Sequence, residues 1–224
     1  MKKKKRVRIK FKSVIILLLV LSISTLIIYS ILNKKINCIY ISGNKILDEQ
    51  DVLELIGFNN YLKYYEIDTN KMEKRLMSNL IINDVEVKKN LFSIHINLKE
   101  YQPMWYQEHN DSIMLSSGEV VDFSNEILGI PTLINEIEND YKMEFINELC
   151  KVEQNIFQKI SEISYEPSEI DNERFLLYMN DQNYVYVNLS RMNYLNKYDE
   201  LLPKLEEKKG ILYLDCGNHF EIKM

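Results

Sequence analysis

Histidine and cysteine are scarce in this 224-residue chain, with three of each. His95, His109 and His219 lie far apart, and Cys38, Cys150 and Cys216 are equally scattered, so neither set has the spacing of a metal site. An odd number of dispersed cysteines also excludes a disulfide framework, and single buried thiols are the expectation. No H-E-x-x-H, G-x-S-x-G, P-loop or G-x-G-x-x-G occurs. Metalloprotease, hydrolase and nucleotide chemistry therefore lack their usual carriers. There is no tandem repeat and no low-complexity segment.

The longest uncharged run is present where it matters most. Ser13 to Leu32 reads SVIILLLVLSISTLIIYSIL, without a charge, a Pro or a Gly. About 20 such residues span a hydrocarbon core of about 30 Å. Before it stands a tail, residues 1–12, with eight Lys or Arg and no acid, against only Lys34 and Lys35 just beyond. That asymmetry predicts a cytoplasmic N-terminus, an external remainder and a single-pass type II arrangement. A cleaved signal peptide is the competing reading, but the run exceeds the usual apolar region and no A-x-A-like site follows. No small-residue triplet precedes Cys38, which argues against a lipoprotein signal. An uncleaved anchor is the expectation.

Eight of the 28 basic residues and none of the 33 acidic ones precede Leu32, leaving 20 against 33, a net charge of −13, outside. Such a surface predicts no nucleic-acid partner, since phosphates call for cations. It equally disfavours an external part lying on anionic lipid. The external residues are enough for one large or two small domains.

Hydrophobic periodicity then orders the chain. Ile36, Ile39 and Ile41 form a β-rich run that stops at Gly43-Asn44. Asp48 is placed to cap a helix with Val52, Leu55 and Ile56 on its apolar face and Gly57 at its end. Thr69 is expected to cap a second helix carrying Met72, Leu76 and Leu80. Val85 and Val87, then Phe92, Ile94, Ile96 and Leu98, alternate as half-buried strands about a turn at Asn90. The order is β-α-α-β-β, an α+β layer over 33–103.

Pro103 cannot donate to a central ladder, and the Glu100–Pro103 junction reads equally as a hinge or as a continuous sheet. Beyond it, Trp105, Ile113–Leu115 and Val120–Phe123 predict short strands, with a hairpin turn at Ser116-Ser117-Gly118. Phe145, Ile146, Leu149, Val152, Ile156 and Ile160 predict one long amphipathic helix. Strands are expected at Phe175–Met179 and Tyr184–Leu189 about an Asn-Asp-Gln-Asn loop. Leu195, Tyr198, Leu202 and Leu205 suggest a helix interrupted by Pro203. Gly210 would end it, before closing strands at Ile211–Leu214 and Phe220–Ile222. The second domain, 104–224, is thus expected to be an antiparallel β-rich sheet with flanking helices.

Candidate chemistry is thin. His95 falls on the polar face of a strand, where a solvated residue is a better account than a ligand. Asp48, Glu49 and Asp51 are explained by helix capping and the macrodipole rather than by a metal. Asp181 to Asn183 reads as turn chemistry, lacking the Gly and terminal Glu of a calcium loop. The 15 tyrosines suit amphipathic strand packing better than a recognition surface. No catalytic residue, cofactor, metal ligand or small-molecule ligand is predicted.

Several short motifs in this order resemble the DivIB/FtsQ family of bacterial cell-division proteins, over nearly the whole chain. They are Ile41-Ser42-Gly43-Asn44 just past the anchor; Ile81, Val85 and Val87; Ile94 and Ile96; and Glu100-x-x-Pro103. Leu115, Gly118 and Val120 follow, then Ile130-Pro131-x-Leu133 and Leu214-Asp215. Asn90-Leu91 departs from the family, which often has Pro in that turn, and so does Cys216-Gly217 after Asp215. The resemblance implies a POTRA domain, a module for protein contacts, followed by the family's β domain. It implies a non-enzymatic divisome scaffold at the septum that binds small single-pass coiled-coil proteins, FtsL-like and DivIC/FtsB-like, and links them to septal peptidoglycan synthesis. Strand addition at a sheet edge is the physical route open to such a protein. The expected edge is the final strand, with His219, Phe220, Glu221, Ile222 and Lys223 as partner-binding residues. Other classes remain: a POTRA-containing secretion or assembly module, though no barrel-sized run of strands follows, and a membrane-tethered cell-wall hydrolase.

Overall fold

A computed structural model describes residues 11–33, 35–36, 38–58, 63–90, 93–107, 111–123, 127–205 and 208–222. The apolar run forms helix α1, Phe11–Leu32, whose 22 residues bury nothing and are long and apolar enough to cross a membrane. It starts two residues before the uncharged run, at Phe11. Its Ser24 and Thr25 hydroxyls donate to the carbonyls of Leu21 and Ser22, each at 2.8 Å. Those polar atoms thus need no water.

The chain divides into two compact units, Met1–Glu100 and Tyr101–Met224. In the first, β1 (Cys38–Ser42), α2 (Glu49–Ile56), α3 (Thr69–Leu76), β2 (Ile82–Lys89) and β3 (Ser93–Glu100) realise the β-α-α-β-β order. The sheet order is β1-β3-β2, with β1 parallel and β2 antiparallel to β3. Parallel pairing of β1 with β3 requires a crossover, and the two helices supply it. Ile94, Ile96 and Leu98 are buried with Val52, Ile56, Met72 and Leu76. His95, by contrast, lies on the exposed face, stacked on Tyr40 at 4.8 Å.

Capping follows the sequence at α2 and departs from it at α3. Asp48 and Asp51 form a reciprocal capping box, and Gly57 closes α2 in the left-handed region at φ 64°. The cap of α3 is Asp68, whose carboxylate accepts from the Lys71 N–H, and Thr69 is its first helical residue. The helix ends at Leu76, so Leu80 falls beyond it and stays exposed. Phe92 lies outside the described residues.

A tight corner joins the two ends of this unit. Gly43 has φ +84°, and a Cβ there would stand 1.9 Å from the Leu98 carbonyl oxygen. Directly after it, Glu100 Oε2 accepts from the N–H groups of Lys45 and Ile46, each at 2.7 Å, and Oε1 from Leu47 at 3.1 Å. Three successive amides thus converge on one carboxylate.

The second unit is built on a nine-stranded sheet. Its strands are β4 (Pro103–Gln107), β5 (Ser112–Leu115), β6 (Val120–Asp122), β7 (Thr132–Leu133), β8 (Ile160–Tyr165), β9 (Arg174–Met179), β10 (Tyr184–Asn188), β11 (Gly210–Tyr213) and β12 (His219–Ile222). They lie in the order β12-β11-β10-β9-β8-β7-β4-β5-β6. Five neighbouring pairs are antiparallel, but β4–β7, β7–β8 and β10–β11 are parallel. The sheet is therefore mixed: the connections before β8 and β11 cross over as helical segments, and β4 reaches its parallel neighbour β7 by way of β5 and β6.

Those segments differ from the expected pair of helices. The long helix is broken into α4 (Asn139–Leu149) and α5 (Gln154–Phe157), and Ile160 already opens β8. Asn196 explains the break: its side chain accepts from the Glu153 N–H at 2.8 Å and donates to the Lys151 carbonyl at 3.3 Å. Groups freed by ending the helix thereby find partners. Around Pro203 the chain runs as a 3-10 segment (Leu189–Lys197), a single turn α6 (Tyr198–Leu201) and another 3-10 turn (Leu202–Leu205). Gly210 begins β11 instead of ending a helix. The core lies between the sheet and these segments, where Phe145 stacks on Phe175 at 4.0 Å and tilts against Trp105 at 5.7 Å.

All three cysteines are free and exposed, contrary to the expectation of burial. They occupy a strand start, a helix end and a turn. Only the Cys150 sulfur is sheltered, 3.7 Å from the Met104 sulfur, and burial raises its pKa.

Candidate partner-binding edge

Alternation divides the last four strands between two faces. Phe175, Leu177, Val185, Val187 and Leu212 point into the core. Arg174, Tyr186, Tyr213, His219 and Glu221 therefore share the opposite face. Register sets Tyr186 beside Tyr213 and Tyr213 beside His219. The side chains follow it: the Arg174 guanidinium lies 3.7 Å over the Tyr186 ring, Tyr186 stacks on Tyr213 at 5.4 Å, and Tyr213 on His219 at 4.5 Å. The result is a ladder across four strands, ending on the outermost one.

Carboxylates line its flank. Tyr186 donates its hydroxyl to Glu166 at 3.0 Å and Tyr213 to Glu221 at 3.1 Å. Arg174 Nε donates to Asp215 Oδ2 at 2.8 Å. Burial, followed by the acceptor carboxylates, raises the pKa of both phenols. The ladder thus carries a cation at its inner end and anions along its side.

Among the described residues, strand β12 occupies one end of the sheet and pairs only with β11. On its core face Phe220 is half-buried against the core while Ile222 is 50% exposed. The edge at β2 in the first unit is treated differently, since Glu73 Oε1 accepts from the Val87 N–H at 2.8 Å and occupies that backbone position. At the far end of the large sheet, β6 has three residues.

Residues 34–101 match the family profile "POTRA domain, FtsQ-type", and residues 104–216 match "Cell division protein FtsQ/DivIB, C-terminal". The chain belongs to the FtsQ/DivIB family. Similar relatives include Cell division protein DivIB of Bacillus subtilis, 28% identical over 196 residues, or 84% of this chain and 74% of that protein. DivIB of Listeria monocytogenes is 28% identical over 195 residues, 84% of this chain and 72% of that one. A solved structure, the major extracytoplasmic domain of the trans isomer of DivIB from Geobacillus stearothermophilus, aligns with 20% identity and a TM-score of 0.40, over 48% of this chain and 96% of that one. As a member of this family the chain is a membrane-anchored cell-division protein of the divisome with a POTRA domain.

The FtsQ/DivIB motifs acquire physical roles. Ile-Ser-Gly-Asn and the Glu of Glu-x-x-Pro, 57 residues after Gly43, meet at the corner where Glu100 holds the loop after Gly43. Gly118, at φ +86°, turns the β5–β6 hairpin, and Asp215 anchors Arg174. Of the candidate partner-binding residues, His219, Phe220, Glu221 and Ile222 form β12, and Lys223 lies outside the described residues. Sequence reasoning missed Arg174, Tyr186, Tyr213 and Glu166 as companions of His219. Alternating tyrosines at 184 and 186 were the available signal, and only strand order converts them into a ladder. Asp181 serves its turn, accepting from the Asn183 N–H and from the buried Tyr198 hydroxyl.

Proposed function

We propose that this chain is a non-enzymatic divisome scaffold whose β12 edge accepts a strand from a small single-pass coiled-coil division protein, FtsL-like or DivIC/FtsB-like. By holding these partners it links them to septal peptidoglycan synthesis. One observation carries this reading: among the described residues β12 pairs on one side only, while presenting the half-exposed Ile222. Backbone groups along such an edge supply affinity, and alternate side chains supply specificity.

The accompanying arrangement is a cytoplasmic tail over 1–12, a membrane span over 13–32, a POTRA domain over 33–103 and a partner-binding domain over 104–224, with the external part at the septum. The eight tail cations, against only Lys34 and Lys35 just beyond the span, support that orientation.

Two measurements test it. Depleting the protein blocks septation, and normal division on depletion overturns the scaffold role. Deleting residues 219–224 abolishes co-purification of the small coiled-coil partners with circular dichroism unchanged. Undiminished co-purification refutes the edge.

A further inference from the structure

Each ring in the ladder has its inner face covered by the residue before it: Arg174 covers Tyr186, Tyr186 covers Tyr213, and Tyr213 covers His219. The series stops at His219 because β12 is the last strand. No other described ring lies against the imidazole. Two residues on, Glu221 shares that face, and its Oε2 accepts from the Tyr213 hydroxyl at 3.1 Å. Phe220 and Ile222 occupy the other face.

A strand hydrogen-bonded to β12 brings its directly opposed side chains to a Cβ spacing of about 4.5–5.5 Å. The stacked rings of the ladder stand at that same spacing, 4.5 and 5.4 Å. We propose that the strand received at β12 alternates aromatic, apolar, basic, apolar: an aromatic ring on the outer face of His219, a cation beside Glu221, and apolar side chains beside Phe220 and Ile222. The pattern rests on the strand-addition reading and adds to it the chemistry of the incoming segment. Because His219 and Glu221 are two residues apart, parallel and antiparallel approach require the same alternation and differ only in its direction. An acid opposite Glu221 is selected against, locally by like-charge repulsion and at longer range by the net −13 of the residues beyond Leu32.

The test uses the full chain in lipid nanodiscs and fluorescein-labelled peptides with a central Tyr-Val-Lys-Val or its reverse, set in Thr/Ser flanks. Anisotropy titration is expected to show Tyr→Ser peptides binding roughly three- to tenfold more weakly, the range of an aromatic pair. His219→Ala abolishes that difference without abolishing binding, and Glu221→Lys inverts the preference for Lys over Glu in the third position. Equal binding of Tyr and Ser peptides, lost for both on deleting 219–224, overturns the ladder rule and leaves strand addition standing. Absence of binding by every peptide overturns strand addition itself and the ladder rule with it.

Discussion

Glu100 Oε2 lies 2.7 Å from the backbone nitrogen of Ile46, and the same carboxylate also holds the amides of Lys45 and Leu47. Hydrogen bonds to an ionised group are the strong ones. Glu100→Ala is therefore expected to cost the first unit about 2 kcal/mol. Hydrogen exchange on the full chain in nanodiscs should show the amides of residues 45–47 losing protection first. Unchanged exchange there would remove the corner from the account of the fold.

Gly43 and Gly57 both have positive φ, yet their neighbours differ. A Cβ at Gly43 meets the Leu98 backbone oxygen at 1.9 Å, whereas at Gly57 it meets the end of the Arg75 side chain at 2.9 Å. Gly43→Ala should destabilise by more than about 3 kcal/mol, and Gly57→Ala by about 1 kcal/mol. Chemical denaturation of the two variants side by side checks the order, and equal losses contradict it.

Arg174 combines a stack on Tyr186 with a bridge to Asp215. Arg174→Lys keeps the charge and loses the plane, so about 1 kcal/mol should go with it. Near-ultraviolet circular dichroism from the stacked tyrosines should fall in parallel. A variant with unaltered stability and spectrum assigns the ladder no energetic role.

Tyr186 and Tyr213 have pKa values raised above the ordinary phenol value, chiefly by burial and then by Glu166 and Glu221. A folded-state pKa above the unfolded one means the folded chain holds its protons longer. The stabilisation is complete below about pH 10, the unfolded value, and is lost as pH rises through the folded values. Absorbance of tyrosinate should therefore appear in two steps, exposed phenols first, and these two, with Tyr165 and Tyr198, whose pKa values burial also raises, on the alkaline loss of structure. Titration of all phenols together near pH 10 in the native fold would contradict this.

Elements with local rules were readable in the sequence. The Asp48 cap, the Gly57 stop and the Ile94–Ile96–Leu98 alternation depend on neighbours within a few residues, and each stands where the local pattern put it. The break between α4 and α5 was not readable, because Val152 and Ile156 keep the apolar spacing while Asn196, over 40 residues away, ends the helix. Asp68 displaced Thr69 as a cap by one position, within the reach of either side chain. At the candidate edge, His219 to Ile222 could be named from alternation alone. Their companions could not, since a parallel β10–β11 pairing brings Tyr186 to Tyr213 and nothing local announces it.

Trp105 is the single tryptophan, it belongs to the second unit, and it is fully buried. Its emission is an optical probe confined to one half of the chain, blue-shifted while that half is folded and silent about the POTRA unit. Loss of the POTRA fold alone would register in far-ultraviolet dichroism before any spectral change at the indole. Two lamps on one sample would then tell which domain a lesion found in a division-defective strain has damaged.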